Sequence, residues 1–599
     1  MHRHNTPAPR KRSAKTSEGD DRPDSLSWDR CAKFHPVVLH TCAHTKKWPG
    51  GRRHETTQEH SGVLDLSQQP PSTPTTHIEE LPARLRAVAD FLPGTMREMA
   101  GLHTYDGKVA DLSPEGVRAG VETFGGTPFD DPHDEAHASA FERNLRHEYA
   151  ELELHRSNPL LHAHELDLAG YDRPYAPQGE RDRARIEHLR KWPQVVDNAL
   201  ASLDRIPAPV ARSVREAIAG AAANLPDNAP DDVREAALTA HSRLLAHVDH
   251  AAEEGTHKTA LGEKALGELM GVSEATKVDL TELASWADTE RARLRAGLAE
   301  AAGRLAPGQD PDEFTQELTR SHPAADRVLT AARGWTRLVL DFTAERDLVL
   351  VDDGECRVEE SPESQRWGTA MMSGGGPWEA EAPSYYFVTP PDPAWSPQET
   401  EEWLEIFSHT TLPAVSVHEV APGHFSHWRH MRTLKSPVRR ALHSMTFAEG
   451  WAHYAEEMLL EEGFGAYAAE RVAGEDFLDG TEWTPDHYEI GVWVEALIRV
   501  TRLSVAIGVH TEEMTVEQGA ARFAQDTPLR GRAALSEAHR ATFDPTYGRY
   551  TWGKLEILRL RERARKEWGS AFSLPRFHRA LLDLGSPPIG LIGTAIDRG

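Results

Sequence analysis

Along most of the chain, apolar residues recur at three- and four-residue intervals, the spacing that lines one face of an α-helix. The pattern settles first at Ile78–Leu92 and runs on to about Arg346. It predicts helices over Ser139–Arg156, Arg181–Asp204, Pro209–Asn224, Asp279–Arg304, Asp312–Arg320 and Pro323–Glu345. Another opens near Pro230, where Asp231 and Asp232 fall in the first turn and suit the helix dipole. Pro and Gly punctuate between these segments, as in Leu225–Pro230. No fixed-period repeat is evident, which argues against a helical solenoid.

Between Leu348 and Pro397 the pattern changes. Leu348–Val351 and Ser384–Val388 read as short strands. Gly374–Pro377 lies between them and lacks the Lys-Ser/Thr ending of a phosphate loop, so it reads as a turn. Helical spacing returns over Thr400–Thr411, through the segment carrying His418 and Glu419, and over Val438–Glu462. His427 and His430, on the continuation of the His418 segment, are expected to face solvent, and His453 to be a surface or supporting residue. The predicted class is mainly α, with a small β-element beside the helix that bears His418. Residues 1–76, rich in Pro, Ser, Thr, His and basic groups, are expected to be a disordered extension. Cys31, His35, His40, Cys42 and His44 within them match no finger spacing. The expected organisation is residues 1–76, a helical lobe over 77–346 and a catalytic lobe over 347–599.

Composition narrows the possibilities. With 599 residues, 39% hydrophobic and 27% charged, the chain has the make-up of a globular protein large enough for two lobes. A formal net charge of −27 argues against nucleic acid or an anionic membrane as partner. No apolar run approaches the roughly 20 residues of a membrane helix. Three cysteines make no disulfide framework, and the basic N-terminus has no apolar run behind it, so the cytoplasm is the expected compartment.

The chemistry concentrates in Ser416-Val-His-Glu-Val-Ala-Pro-Gly-His424 and Phe447-Ala-Glu-Gly-Trp-Ala-His-Tyr-Ala-Glu456. Two imidazoles and a carboxylate around one Zn²⁺, with a fourth position open, form the ligand set of a catalytic zinc site, and a Glu beside the first His can act as its base. The spacing is unusual. In His-Glu-x-x-His the two imidazoles share a helix face, whereas His424 comes six residues after His418. On an unbroken helix that places them on different faces. Pro422 and Gly423 offer the remedy, a bulge that swings His424 back beside His418.

The paired motif resembles the bacterial family called domain of unknown function 885, which is grouped with zincin-like metallopeptidases of the gluzincin type. The resemblance implies a bilobed helical zincin-like fold with one Zn²⁺ per chain. It makes His418, His424 and Glu449 the ligands and Glu419 the general base. Glu456 reads as an acceptor that orients a ligating His, with the third ligand position as its alternative. Arg499-Val-Thr-Arg-Leu-Ser-Val-Ala-Ile-Gly-Val-His510 is also similar to the family, with Ala506-Ile507 where Asp-Thr is usual. It suggests His510 as an oxyanion donor and Arg499 or Arg502 as partners of a substrate carboxylate, with a structural ion pair as the equal alternative for each Arg. Phe543–Leu555 resembles the family's Pro-containing turn and Gly-Lys helix start, with Tyr550 the preferred transition-state donor and Tyr547 the alternative.

A strand just before such a helix often accepts an extended peptide along its edge. Ser384–Val388, centred on Tyr386, is therefore a candidate substrate strand, with a plain core strand as the alternative. The function expected is hydrolysis of peptide bonds by a zinc metallopeptidase. A zinc amidohydrolase acting on a peptide-like metabolite would use the same residues, and an inactive helical scaffold of zincin fold would keep them without turnover. The oligomeric state is not legible.

Overall fold

The computed structural model describes residues 81–350, 354–362, 366, 368–379 and 382–599. The segment 1–76, with its Cys and His cluster, lies outside them. From Leu81 the chain is mainly α-helical, with a single three-stranded sheet among the described residues.

The amino-terminal helices end where local chemistry stops them. The segment expected from Ser139 starts earlier, at Pro132, because Asp131 caps its first turn and Pro occupies the first helical position. The segment expected over Arg181–Asp204 is two helices, Gln178–Leu189 and Trp192–Ser202. Together with Ala208–Gly220 and Asp231–Glu254 they bury one core around Trp192, Val196, Val214, Ile218 and Leu244.

A second and larger core carries the rest. It draws on α1 (Leu280–Leu305) and α2 (Val328–Glu345) as well as on everything after residue 348. Apolar packing is therefore continuous across residue 346. Helix α1 lies along another helix of 26 residues, Pro485–His510.

The sheet comprises β1 (Cys356–Glu360), β2 (Ala370–Ser373) and β3 (Ser384–Val388), in the order β1-β3-β2. β3 pairs parallel with β1 and antiparallel with β2. Leu348–Leu350 form no strand; Leu348 and Val349 enter the core, and the Leu348 carbonyl accepts from His578 Nδ1 at 2.7 Å. β3 occupies its predicted span but not the predicted role. It is the central strand, with both edges already paired and every residue buried. A central strand has no free main-chain groups for an added peptide, so Ser384–Val388 is not an edge for substrate, and Tyr386, fully buried, is a core residue. The continuous Tyr-Tyr-Phe-Val run, without polar alternation, is what burial on two faces requires.

The Gly374–Pro377 turn between β2 and β3 is tied down by arginines. Arg173 donates to the Gly374 carbonyl, Arg432 to Gly375 and Arg440 to Pro377. Among the described residues no helix is long and apolar enough to cross a membrane.

Candidate metal centre

Three helices build the site: α3 (Thr411–Glu419), α4 (His424–Thr433) and α5 (Met445–Glu461). The expected bulge is a complete break. α3 stops at Glu419, four residues turn the chain, and His424 opens α4. Pro422 has no N–H to continue the ladder. Gly423 is required by contact, since a Cβ there would stand 1.9 Å from the His418 carbonyl oxygen. Trp451 of α5 donates its indole N–H to the Pro422 carbonyl at 2.9 Å and so pins the break from behind. Val438–Glu462 is likewise not one helix. Pro437–Ala441 ends in a turn, and Ser444 caps α5 through the Phe447 N–H.

The break brings His418 and His424 together, ring centroids 4.8 Å apart and planes at 87°. Glu449 reaches both: its Oε2 lies 3.3 Å from His418 Nε2 and 3.4 Å from His424 Nε2. The three ligand atoms all fall within 4.8 Å of one another, the one such group of His, Cys, Asp and Glu side chains among the described residues. Donors about 2.0–2.1 Å from a tetrahedral zinc stand about 3.3–3.4 Å apart, so the two Glu449 separations match that spacing. Glu449 Oε2 is also a buried oxygen without a hydrogen-bond partner, a costly condition that a cation would relieve. Burial resists ionisation of Glu449, but His418 and His424 outweigh it and hold the carboxyl well below its usual range. The residues present therefore fit a divalent metal.

Behind the ligands, Glu456 Oε1 meets His418 Nδ1 at 2.7 Å, the carboxylate–histidine contact expected of it. Its other oxygen faces His453 Nδ1 at 3.2 Å, and Arg499 approaches both oxygens at 3.3 Å. Burial opposes the Glu456 charge, while Arg499, then His453 and His418, pull its carboxyl below the usual range. His453 is thus a buried supporting residue. Glu419, the last residue of α3, is nearly buried. Burial, above all, pushes the Cys356 thiol up to about 12, and the Glu419 charge adds to it.

Tyr550 stands at the start of α6 (Arg549–Trp568), its ring 6.3 Å from that of His418 and nearly parallel to it. Two glycines let α6 approach α5: a Cβ on Gly450 would meet Gly553 Cα at 2.5 Å, and one on Gly553 the Thr446 carbonyl at 2.1 Å. Burial, then the Glu449 charge, raise the Tyr550 hydroxyl. Tyr547, the alternative, is fully buried in a separate apolar cluster.

Several expected roles change. His510 is no oxyanion donor: its Nε2–H donates to the Ala541 carbonyl at 2.8 Å and its Nδ1 accepts the Leu261 N–H at 3.2 Å. Arg499 serves Glu456 and Glu495, so it is not a substrate contact. Arg502 grips Glu537 through Nε and Nη2, both at 2.7 Å, which leaves Nη1 for any other partner. His427 and His430 are buried, bonded to the Gly585 carbonyl at 3.0 Å and to Asp583 at 2.7 Å. Ala506 and Ile507 pack in apolar clusters. Trp451 is the supporting residue that the motif's spacing did not disclose, and Arg499 takes the ion-pair reading.

Two solved structures share the fold. One is described as a putative lipoprotein of unknown function from Shewanella oneidensis, 20% identical, with a TM-score of 0.65 over 86% of this chain and 98% of that one. The other is described as a putative lipoprotein from Colwellia psychrerythraea, 16% identical, with a TM-score of 0.67 over 86% of this chain and 96% of that one. No curated protein matches the chain. The sequence pattern described as "Bacterial protein of unknown function (DUF885)" matches residues 95–596, and the chain belongs to that family.

Proposed function

We propose that the protein is a zinc-dependent peptidase of zincin-like fold that hydrolyses amide bonds. The observation that carries this reading is the meeting of His418, His424 and Glu449 around a buried carboxylate oxygen that nothing else satisfies. Zinc held by these three groups supplies Lewis acidity and lowers the pKa of water toward about 7. The chain's own residues do the rest. Glu419 accepts a proton as water adds to the carbonyl and returns it to the leaving amine. Tyr550 donates to the developing oxyanion. Glu456 fixes the His418 ring by accepting from Nδ1, and Arg499 keeps Glu456 charged. The compartment we propose is the cytoplasm, on the cysteine usage of the sequence; recovery of the protein in a membrane fraction overturns that assignment.

Metal analysis of the purified chain, with peptide-library cleavage, tests the reading. One zinc per chain is expected. Glu419→Gln should retain that metal and lose roughly 10²–10⁴-fold in kcat/KM. Turnover close to wild type in that variant removes Glu419 from the base role.

A further inference from the structure

Three guanidinium groups share two carboxylates beside Tyr547 and Tyr550. Arg502 directs Nε and Nη2 at Glu537, and Arg540 directs Nε and Nη2 at Asp544 at 3.3 and 3.1 Å. Arg549 shares Asp544 with Arg540, so one positive charge is in excess. The remaining amino groups, Nη1 of Arg502 and Nη1 of Arg540, meet no hydrogen-bond partner among the described residues. The group is not sealed, since the side chains of Arg502 and Arg540 are 16% and 32% exposed. It also borders the metal centre. The Arg502 guanidinium carbon is 5.3 Å from the Tyr550 ring, and that of Arg540 is 5.6 Å from the ring of Tyr547, three residues earlier.

We propose that Arg502 and Arg540 form an anion subsite beside the metal centre that receives the terminal α-carboxylate of a peptide, so that the enzyme trims residues from carboxyl ends. The proposal rests on the hydrolase reading above and adds its substrate class. Guanidinium forks bind carboxylates through paired, charge-assisted hydrogen bonds. Here Glu537 and Asp544 already hold each fork in place, which lowers the ordering cost of binding. One residue of extended chain spans about 3.3–3.6 Å. Arg502, packed on Tyr550, therefore suits a carboxylate one or two residues beyond the bond cleaved. Arg499 cannot play this part, because Glu456 and Glu495 occupy it. In the reaction the carbonyl carbon gains the water oxygen, the C–N bond breaks and the nitrogen leaves with a water proton, releasing a free amino acid or dipeptide.

The test uses the metal-loaded full chain and its Arg540→Gln and Arg502→Lys variants. Substrates are N-acetyl peptides with a free carboxyl end, the same peptides as carboxyl-terminal amides, and amides with Asp or Glu in the last position. Free acids should be cleaved about 100-fold more efficiently than plain amides, with the ratio near one in Arg540→Gln and intermediate in Arg502→Lys. Zinc content should be unchanged in both. Equal cleavage of acids and amides by the wild type overturns the subsite and leaves the hydrolase reading standing. Acidic-side-chain amides cleaved as well as free acids overturn the terminal assignment. If no peptide is cleaved, the hydrolase reading fails, and calorimetry with N-acetyl-alanine and its amide decides the subsite alone. Binding of the acid only, abolished by Arg540→Gln, supports it; indifference between acid and amide overturns it.

Discussion

Glu456 and Glu457 are neighbours on α5, both buried, yet they belong to opposite kinds of charge network. Consecutive helix positions point about 100° apart. Glu457 faces Lys554 at 2.5 Å and Arg293 at 2.7 Å, and both cations also meet Glu290, at 3.3 and 2.7 Å. Two cations and two anions close on themselves. Glu456 faces His418, His453 and Arg499, and that network runs on to His424 and Glu449, where a carboxylate oxygen and the His424 Nδ1 have no partner. A closed network contributes position and rigidity. A network that ends on an unsatisfied carboxylate oxygen between two imidazoles is arranged for something it does not itself contain.

Three measurements break or sharpen this contrast. The largest effect is acid destabilisation. Burial holds His162, His409 and His578 down to about 4, below the roughly 6.5 of an unfolded chain, so they fold neutral. Between those values the unfolded state binds more protons. Stability is therefore full above about pH 6.5 and declines as pH falls toward about 4, by about 1.4 kcal/mol per pH unit for each proton taken up. Glu457 is held down to about 2 by Lys554 and Arg293 against the opposing effect of burial. The closed network thus stays charged across this window in the wild type, so urea unfolding between about pH 7 and 4 should lose stability with the histidines. Stability unchanged over that range would overturn the assignment.

Lys554→Met should come next, costing about 3–5 kcal/mol in urea unfolding of the apo-protein, because buried carboxylates lose a cation. Its zinc affinity should match wild type. Glu456→Gln reverses the signature: a metal affinity reduced roughly 10–100-fold, measured by chelator competition, with the smaller stability change. Equal losses of zinc affinity in both variants would end the distinction.

That His418, His424 and Glu449 belong together was legible because the paired motif carries them, and so was a contact from Glu456 to one of those His. The division of the expected Val438–Glu462 helix was not, because Ser444 offers a second start that competes with the continuous apolar pattern. His427 and His430 were misread because solvent exposure on a short helix depends on what packs against it, here the turn at Asp583–Gly585. His510 was misread for the same reason, and for Arg499 only the structure chose the ion pair over the substrate contact: a polar side chain shows its chemistry in the sequence but not its partners. Ser384–Val388 was placed correctly as a strand, while its central position came from β1 and β2 lying on either side.

The sequence by itself determined the helical class, the strand at Ser384–Val388 and the stock of ligands, since periodicity and residue chemistry act over a few neighbouring positions. Only the tertiary structure decided which imidazoles meet, which glutamate stays unsatisfied and which arginines are already engaged. Those outcomes depend on helices from distant parts of the chain packing at contact distance, and local spacing does not encode that distance.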